Sequence, residues 1–153
     1  MAQTIISGVT DQLSTMDALA QLSFLIYGTL SEVAGEHDLS VIQIRLLGVL
    51  RDREPTMQEL GRFLGLDKSS ISGLVDRAER RGLVRRTPSE EDRRAVRVSL
   101  TDAGRTLGGH AALAFGSRVD AYVVGLPPAE REQLTRLATW VVADDAQRRA
   151  LPA

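Results

Sequence analysis

Apolar residues recur at three- and four-residue steps from about Asp11 to Gly35, through Leu13, Met16, Leu19 or Ala20, Phe24, Tyr27 and Leu30, and predict an amphipathic helix. Ser40 is a candidate N-cap for a second helix carrying Ile44, Leu47 and Leu50 inward, which Pro55 stops. The run Thr56-Met57-Gln58-Glu59 then has the form of a capping box, in which a hydroxyl and a carboxylate satisfy two amides at a helix start. The helix it opens turns Met57, Leu60, Phe63 and Leu64 inward and is short, because Gly65 suits a left-handed stop. Asp67 caps the next helix, which runs to Gly82 with Ile71, Leu74, Val75 and Ala78 on one stripe. Two short helices joined by a tight glycine turn predict a helix-turn-helix unit.

Beyond Gly82 the period changes from helical to alternating. Leu83–Thr87 and Ala95–Leu100 predict two strands, the second with Val96, Val98 and Leu100 on one face and Arg97 and Ser99 on the other. The polar run from Pro88 to Arg94 is the tip of the hairpin, so a wing follows the helix-turn-helix directly. Thr101-Asp102 caps a long helix ending near Gly125-Leu126-Pro127-Pro128, and a last helix reaches about Arg148 with Leu134, Leu137, Ala138, Val141 and Val142 on one stripe. The expected fold is mainly α with a small β-hairpin: a winged helix-turn-helix over residues 40–100, and a helical lobe built from residues 1–39 and 101–153. The apolar stripes outside the winged unit exceed what so small a core can cover. They therefore predict that the lobe serves dimerisation.

Composition removes several classes of chemistry. None of the 153 residues is cysteine, which excludes disulfides, thiolate metal sites and thiol nucleophiles. The two histidines, His37 and His110, stand in no ligand spacing, so neither metal nor cofactor is expected. Gly-x-Ser-x-Gly, a Walker loop, His-Glu-x-x-His and a dinucleotide glycine triplet are all missing, and the chain is not expected to be an enzyme. Ala18–Ser31 is too short and too polar to span a bilayer, and no Lys or Arg precedes Arg45 to form a secretory n-region, so a cytoplasmic chain without membrane contact is expected.

Charge distribution changes the picture more than net charge does. The formal total is −1. Residues 68–97, however, hold nine Lys and Arg against five acids, while residues 1–44 hold five acids and no Lys or Arg. A positive window on a neutral or acidic body is the footprint of a focused nucleic-acid contact. On a wheel of ~100° per residue, the helix face opposite the apolar stripe presents Ser69, Gly73, Asp76 and Arg80, flanked by Ser72 on one side and by Ser70 and Arg77 on the other. Small hydroxylated residues let a helix sink into a major groove and offer both donors and acceptors to base edges. Gly73 costs roughly 1 kcal/mol relative to alanine in a helix. Close approach of nucleic acid or of another helix would each explain it. Lys68 and the open amides beside it suit a phosphate oxygen, and Arg77 suits phosphate or guanine. Arg85 and Arg86 lie on the first strand, with Arg93 and Arg94 at the tip, where arginine can enter a narrow minor groove and Asp92 can orient Arg94.

The segments LDKSSISGLVDRAERRGLV and, one wing later, DRRAVRVSLTDAG resemble the MarR family of bacterial winged-helix regulators, most strongly over residues 40–105. The resemblance implies a homodimer that binds double-stranded DNA at a pseudopalindromic operator and usually represses a gene. It places Ser69, Ser70, Ser72, Gly73 and Arg77 on the recognition helix, Arg94 in the minor groove with Asp92 as its anchoring acid, and Arg86 on the DNA backbone. It also implies release by a small-molecule effector, often an aromatic acid. Phe24, Tyr27, His37, Arg45 and Arg51 would line that effector crevice. A winged-helix regulator or interaction module without an effector is the alternative.

Overall fold

The computed structural model describes residues 13–89 and 94–150, so Glu90, Glu91, Asp92 and Arg93 of the hairpin tip lie outside the described residues. The elements in order are α1 (Thr15–Glu36), α2 (Val41–Leu50), α3 (Met57–Leu64), α4 (Lys68–Arg80), β1 (Val84–Pro88), β2 (Val96–Leu100), α5 (Asp102–Val123) and α6 (Pro128–Ala150). Side-chain caps set where the helices of the winged unit begin. Ser40 and Gln43 form a reciprocal box at the start of α2, and Thr56 and Glu59 form the expected one at α3. Asp67 accepts from the Ser70 amide at 2.8 Å to open α4. At the first helix the apolar period overruns the real boundary. Ser14 accepts from the Asp17 amide at 3.1 Å, so α1 begins at Thr15 and not at Asp11.

Helix ends are equally local. Gly65 takes φ 68° after α3, and Gly82 takes φ 68° after α4. Beyond α4 the amides of Gly82 and Leu83 return to the carbonyls of Glu79 and Ala78 at 2.8 and 3.0 Å, which turns the chain into the wing. The hairpin pairs β1 with β2 antiparallel, Val84 opposite Leu100 and Pro88 opposite Val96. Its inner edge is extended by a bridge from Arg97 to Thr56, with the Val98 amide donating to the Pro55 carbonyl at 2.9 Å. The core of this unit is Leu46, Leu47 and Leu50 of α2, Leu60 and Leu64 of α3, Ile71, Leu74, Val75 and Ala78 of α4, and Val84, Val98 and Leu100 of the strands.

Three expected side-chain orientations differ. Phe63 is 48% exposed and lies beneath the Arg53 guanidinium, 4.9 Å from the ring centroid, because Leu60 and Leu64 already fill the inward face of so short a helix. Val96, at the open end of β2, is exposed. Ser99 is buried, its hydroxyl accepting from Arg85 Nε at 3.1 Å.

The corner between α4 and α5 is the tightest contact involving a glycine. Thr101 donates its amide to the Leu83 carbonyl at 3.1 Å and its hydroxyl to the Gly82 carbonyl, and that hydroxyl accepts from the Gly104 amide at 3.0 Å. Gly104 thereby lies directly on the Leu83 backbone.

The chain divides between Gly116 and Ser117 into two compact units. In the second, Pro128 opens α6 as expected of proline at a first helical position, and Arg131 Nη2 donates to the carbonyls of Val123 and Val124 at 3.1 and 3.3 Å. Leu134, Leu137, Val141 and Val142 of the predicted stripe are exposed, as is Trp140. Among the described residues no helix is long and apolar enough to cross a membrane.

Candidate nucleic-acid interface

The packed face of α4 is the one its sequence period predicts, with Ile71, Leu74, Val75 and Ala78 buried. Its other side therefore stays available. Lys68, Ser69, Ser70, Asp76, Arg77 and Arg80 are exposed, and Ser72 and Gly73 are half-buried. Asp67 is held below the ordinary aspartate range by the Ser70 amide, and further by the hydroxyls of Ser70 and Ser69. Glu59 is held low in the same way, first by the Thr56 amide and then by its hydroxyl. Ser69 donates its hydroxyl to Asp67 Oδ1 at 3.1 Å, so the outward lone pairs of its oxygen remain acceptors.

Among the described residues no other helix comes within 4 Å of a Cβ built at Gly73. A Cβ built there would meet only Arg77 Nη1, at 3.3 Å, and that is the far end of a flexible side chain. Of the two explanations its sequence position allowed, a helix–helix contact within the chain is removed.

The starts of α3 and α4 and the tip end of the wing border a groove of about 1210 Å³ whose lining includes Gln58, Arg62, Lys68, Ser72, Arg94 and Arg97. Among the described residues Glu59 is the one carboxylate in that lining, beside the cations Arg62, Lys68, Arg94 and Arg97, which suit phosphate oxygens. Arg62, Arg97 and Gln58 were not singled out from sequence, where Arg97 had only its outward place on a strand. Arg97 Nη1 donates to the Glu54 carbonyl at 2.8 Å, which fixes it at the groove wall.

Arg86, for which a DNA-backbone contact is expected, lies on the first strand of the wing. It is turned onto α4, with Nη2 on Asp76 Oδ1 and Nη1 on Glu79 Oε2, both at 2.6 Å. Burial alone would lower its pKa; the two carboxylates outweigh that and hold it above the ordinary arginine value. The wing-tip pair expected between Asp92 and Arg94 lies partly outside the described residues, as does Arg93.

The five effector candidates are not gathered into this groove. Phe24 and Tyr27 on α1 are 73% and 61% exposed, Arg45 is exposed, His37 follows the end of α1, and Arg51 pairs with its neighbour Asp52 at 3.0 Å. Among the described residues no cluster of His, Asp and Glu could hold a metal ion.

A helix-turn-helix with an attached hairpin and a cationic groove defines the winged-helix class of fold. Residues 37–95 match the model of the MarR family. The chain is 33% identical over 93 residues to the HTH-type transcriptional regulator PecS of Dickeya dadantii, covering 58% of this chain and 56% of that protein. It is 33% identical over 95 residues to the organic hydroperoxide resistance transcriptional regulator of Bacillus subtilis, covering 57% and 65%. The match thus spans little more than half to two thirds of these relatives. The apo structure of MarR from E. coli shares the fold with a TM-score of 0.73 over 86% of this chain and 98% of that one, at 22% identity. Over residues 37–95 the chain is similar to the MarR family, and the relatives it matches are regulators of transcription.

Proposed function

We propose that the chain is a sequence-specific transcription regulator that binds double-stranded DNA as a homodimer, α4 in the major groove and the wing in the adjacent minor groove. The single observation that carries the proposal is the outward face of α4. A helix-breaking glycine stands there, and among the described residues only the flexible end of Arg77 comes near its missing Cβ; small hydroxylated residues surround it in the most basic stretch of the chain. Support for a second copy comes from exposed apolar side chains on α1, among them Met16, Leu19 and Phe24, and on α6, among them Leu137, Trp140 and Val142. Twofold symmetry of the protein then calls for a pseudopalindromic operator. Repression is the mode we propose, with release by an aromatic acid bound near Phe24, Tyr27, His37, Arg45 and Arg51. A bound acid acts by favouring the spacing of the two reading heads that does not fit DNA.

The roles of two residues separate in one experiment. Arg94→Ala is expected to weaken binding to all duplexes and to flatten the salt dependence by about two phosphates per dimer, one for each subunit. Ser70→Ala is expected to lower the preference for the selected site several-fold while leaving the salt dependence unchanged. Both are read by fluorescence anisotropy on selected and scrambled duplexes. Unchanged affinity in both variants would remove the assigned reading heads.

A further inference from the structure

One side chain joins the wing to the recognition helix. Asp76 and Glu79 stand three positions apart on α4, which puts their carboxylates on one helix face, and Arg86 of β1 reaches both at 2.6 Å. Its Nη2 also approaches the Ser72 carbonyl at 3.5 Å. The second oxygen of Glu79 accepts from the Arg86 backbone amide at 3.3 Å. That amide points off the outer edge of the hairpin. Its register partner Val98 sends its own N–H the other way, to Pro55, so the pair exchanges no ladder bonds. Glu79 therefore holds both the main chain and the side chain of Arg86, and Asp76 holds the remaining arm of the guanidinium.

A guanidinium offers its donors in a rigid planar fork, so two carboxylates on separate arms fix an angle as well as a distance. With its side chain only 24% exposed, Arg86 has little surface left for an outside partner. The two acids face the opposite problem. They sit on the helix offered to a polyanion, where unpaired carboxylates would repel phosphate.

We propose that Arg86 is a positioning residue: it clasps Asp76 and Glu79, sets the wing at one angle to α4, and makes no phosphate contact of its own. The proposal rests on the DNA-binding function given above. Its consequence is that two negative charges on the reading helix are required for tight binding, which simple electrostatics would forbid.

The test measures affinity of the purified full chain for a duplex enriched by that chain from a random library, over a salt series. Parent, Asp76→Asn, Glu79→Gln, Arg86→Gln, Arg86→Lys and the triple variant Asp76→Asn/Glu79→Gln/Arg86→Gln are compared. Asp76→Asn and Glu79→Gln are expected to bind about tenfold more weakly, although each removes a negative charge. Arg86→Gln should lose as much with its salt slope unchanged, Arg86→Lys should recover only part, and the triple variant should be no weaker than Arg86→Gln alone. The amide replacements are isosteric at partly exposed positions and keep the fold, which the melting temperature checks. Acid variants that bind as tightly as the parent or tighter would overturn the clasp. So would an Arg86→Gln salt slope reduced by about 1.8 per dimer, the mark of one lost phosphate contact in each subunit. A parent chain that enriches no duplex refutes the DNA-binding function itself, and the clasp with it.

Discussion

Gly104→Ala is expected to destabilise the fold by about 3 kcal/mol or more, a drop of roughly 10 °C in melting temperature for a chain of this size. The added Cβ would stand 1.9 Å from the Leu83 carbonyl oxygen and 2.8 Å from its carbon. Both are backbone atoms at the corner where α4 gives way to β1, so no rotamer change relieves the clash. Relief requires moving the corner away from α5, which breaks the bond from the Thr101 amide to that carbonyl and leaves Leu83 and Val84 less well packed against the core. Gly109→Ala, in the same helix, is the control. Nothing lies within 4 Å of its added Cβ, so there alanine should stabilise by about 0.5–1 kcal/mol through helix propensity alone. Thermal unfolding of both variants at one protein concentration checks the contrast. Equal melting temperatures would show that α5 does not sit against Leu83 as described.

Gly73→Ala is expected to move stability and DNA affinity in opposite directions. Within the chain the new methyl group meets only Arg77 Nη1 at 3.3 Å, and that group can swing aside. Alanine at this half-buried position should therefore stabilise α4 by about 1 kcal/mol. Against DNA the same methyl group has no room if the helix backbone lies close to the base edges. Forcing an extra carbon into a packed contact costs about 1–3 kcal/mol, which corresponds to a loss of roughly fivefold to a hundredfold in affinity. Melting temperature and duplex binding measured on the same preparation give both signs. A variant more stable than the parent that binds equally well would show that α4 does not approach its ligand through Gly73.

Much of the winged unit was legible because its signals are short-range. Thr56 with Glu59, Gly65 and Asp67 act within four residues of themselves, and the stripe of Ile71, Leu74, Val75 and Ala78 needs only the helical period. The Ser40–Gln43 box has the same form and could have been recognised by the same rule. Where periodicity alone was used, it overran. The apolar repeat continues back past the Ser14 cap, and the helical period turns Phe63 inward although its neighbours already fill that face. Ser99 shows a different failure. Strand alternation places it outward, yet it is buried with its hydroxyl accepting from Arg85 Nε of the paired strand. The features that matter most for the site were invisible for one physical reason. The clasp of Arg86 and the contact of Gly104 with Leu83 both arise when the hairpin and α5 fold back onto the end of α4, and no local pattern encodes that approach.

The central claim is that the exposed face of α4 and the wing form a surface for duplex DNA. Its most direct measurement is enrichment of random duplexes on the purified chain, followed by a salt titration of the winning sequence. A twofold-symmetric site with half-sites about one helical turn apart is the predicted result, with affinity falling about a thousandfold or more between 50 and 200 mM salt. No enriched sequence, together with binding that salt leaves unchanged, would contradict it.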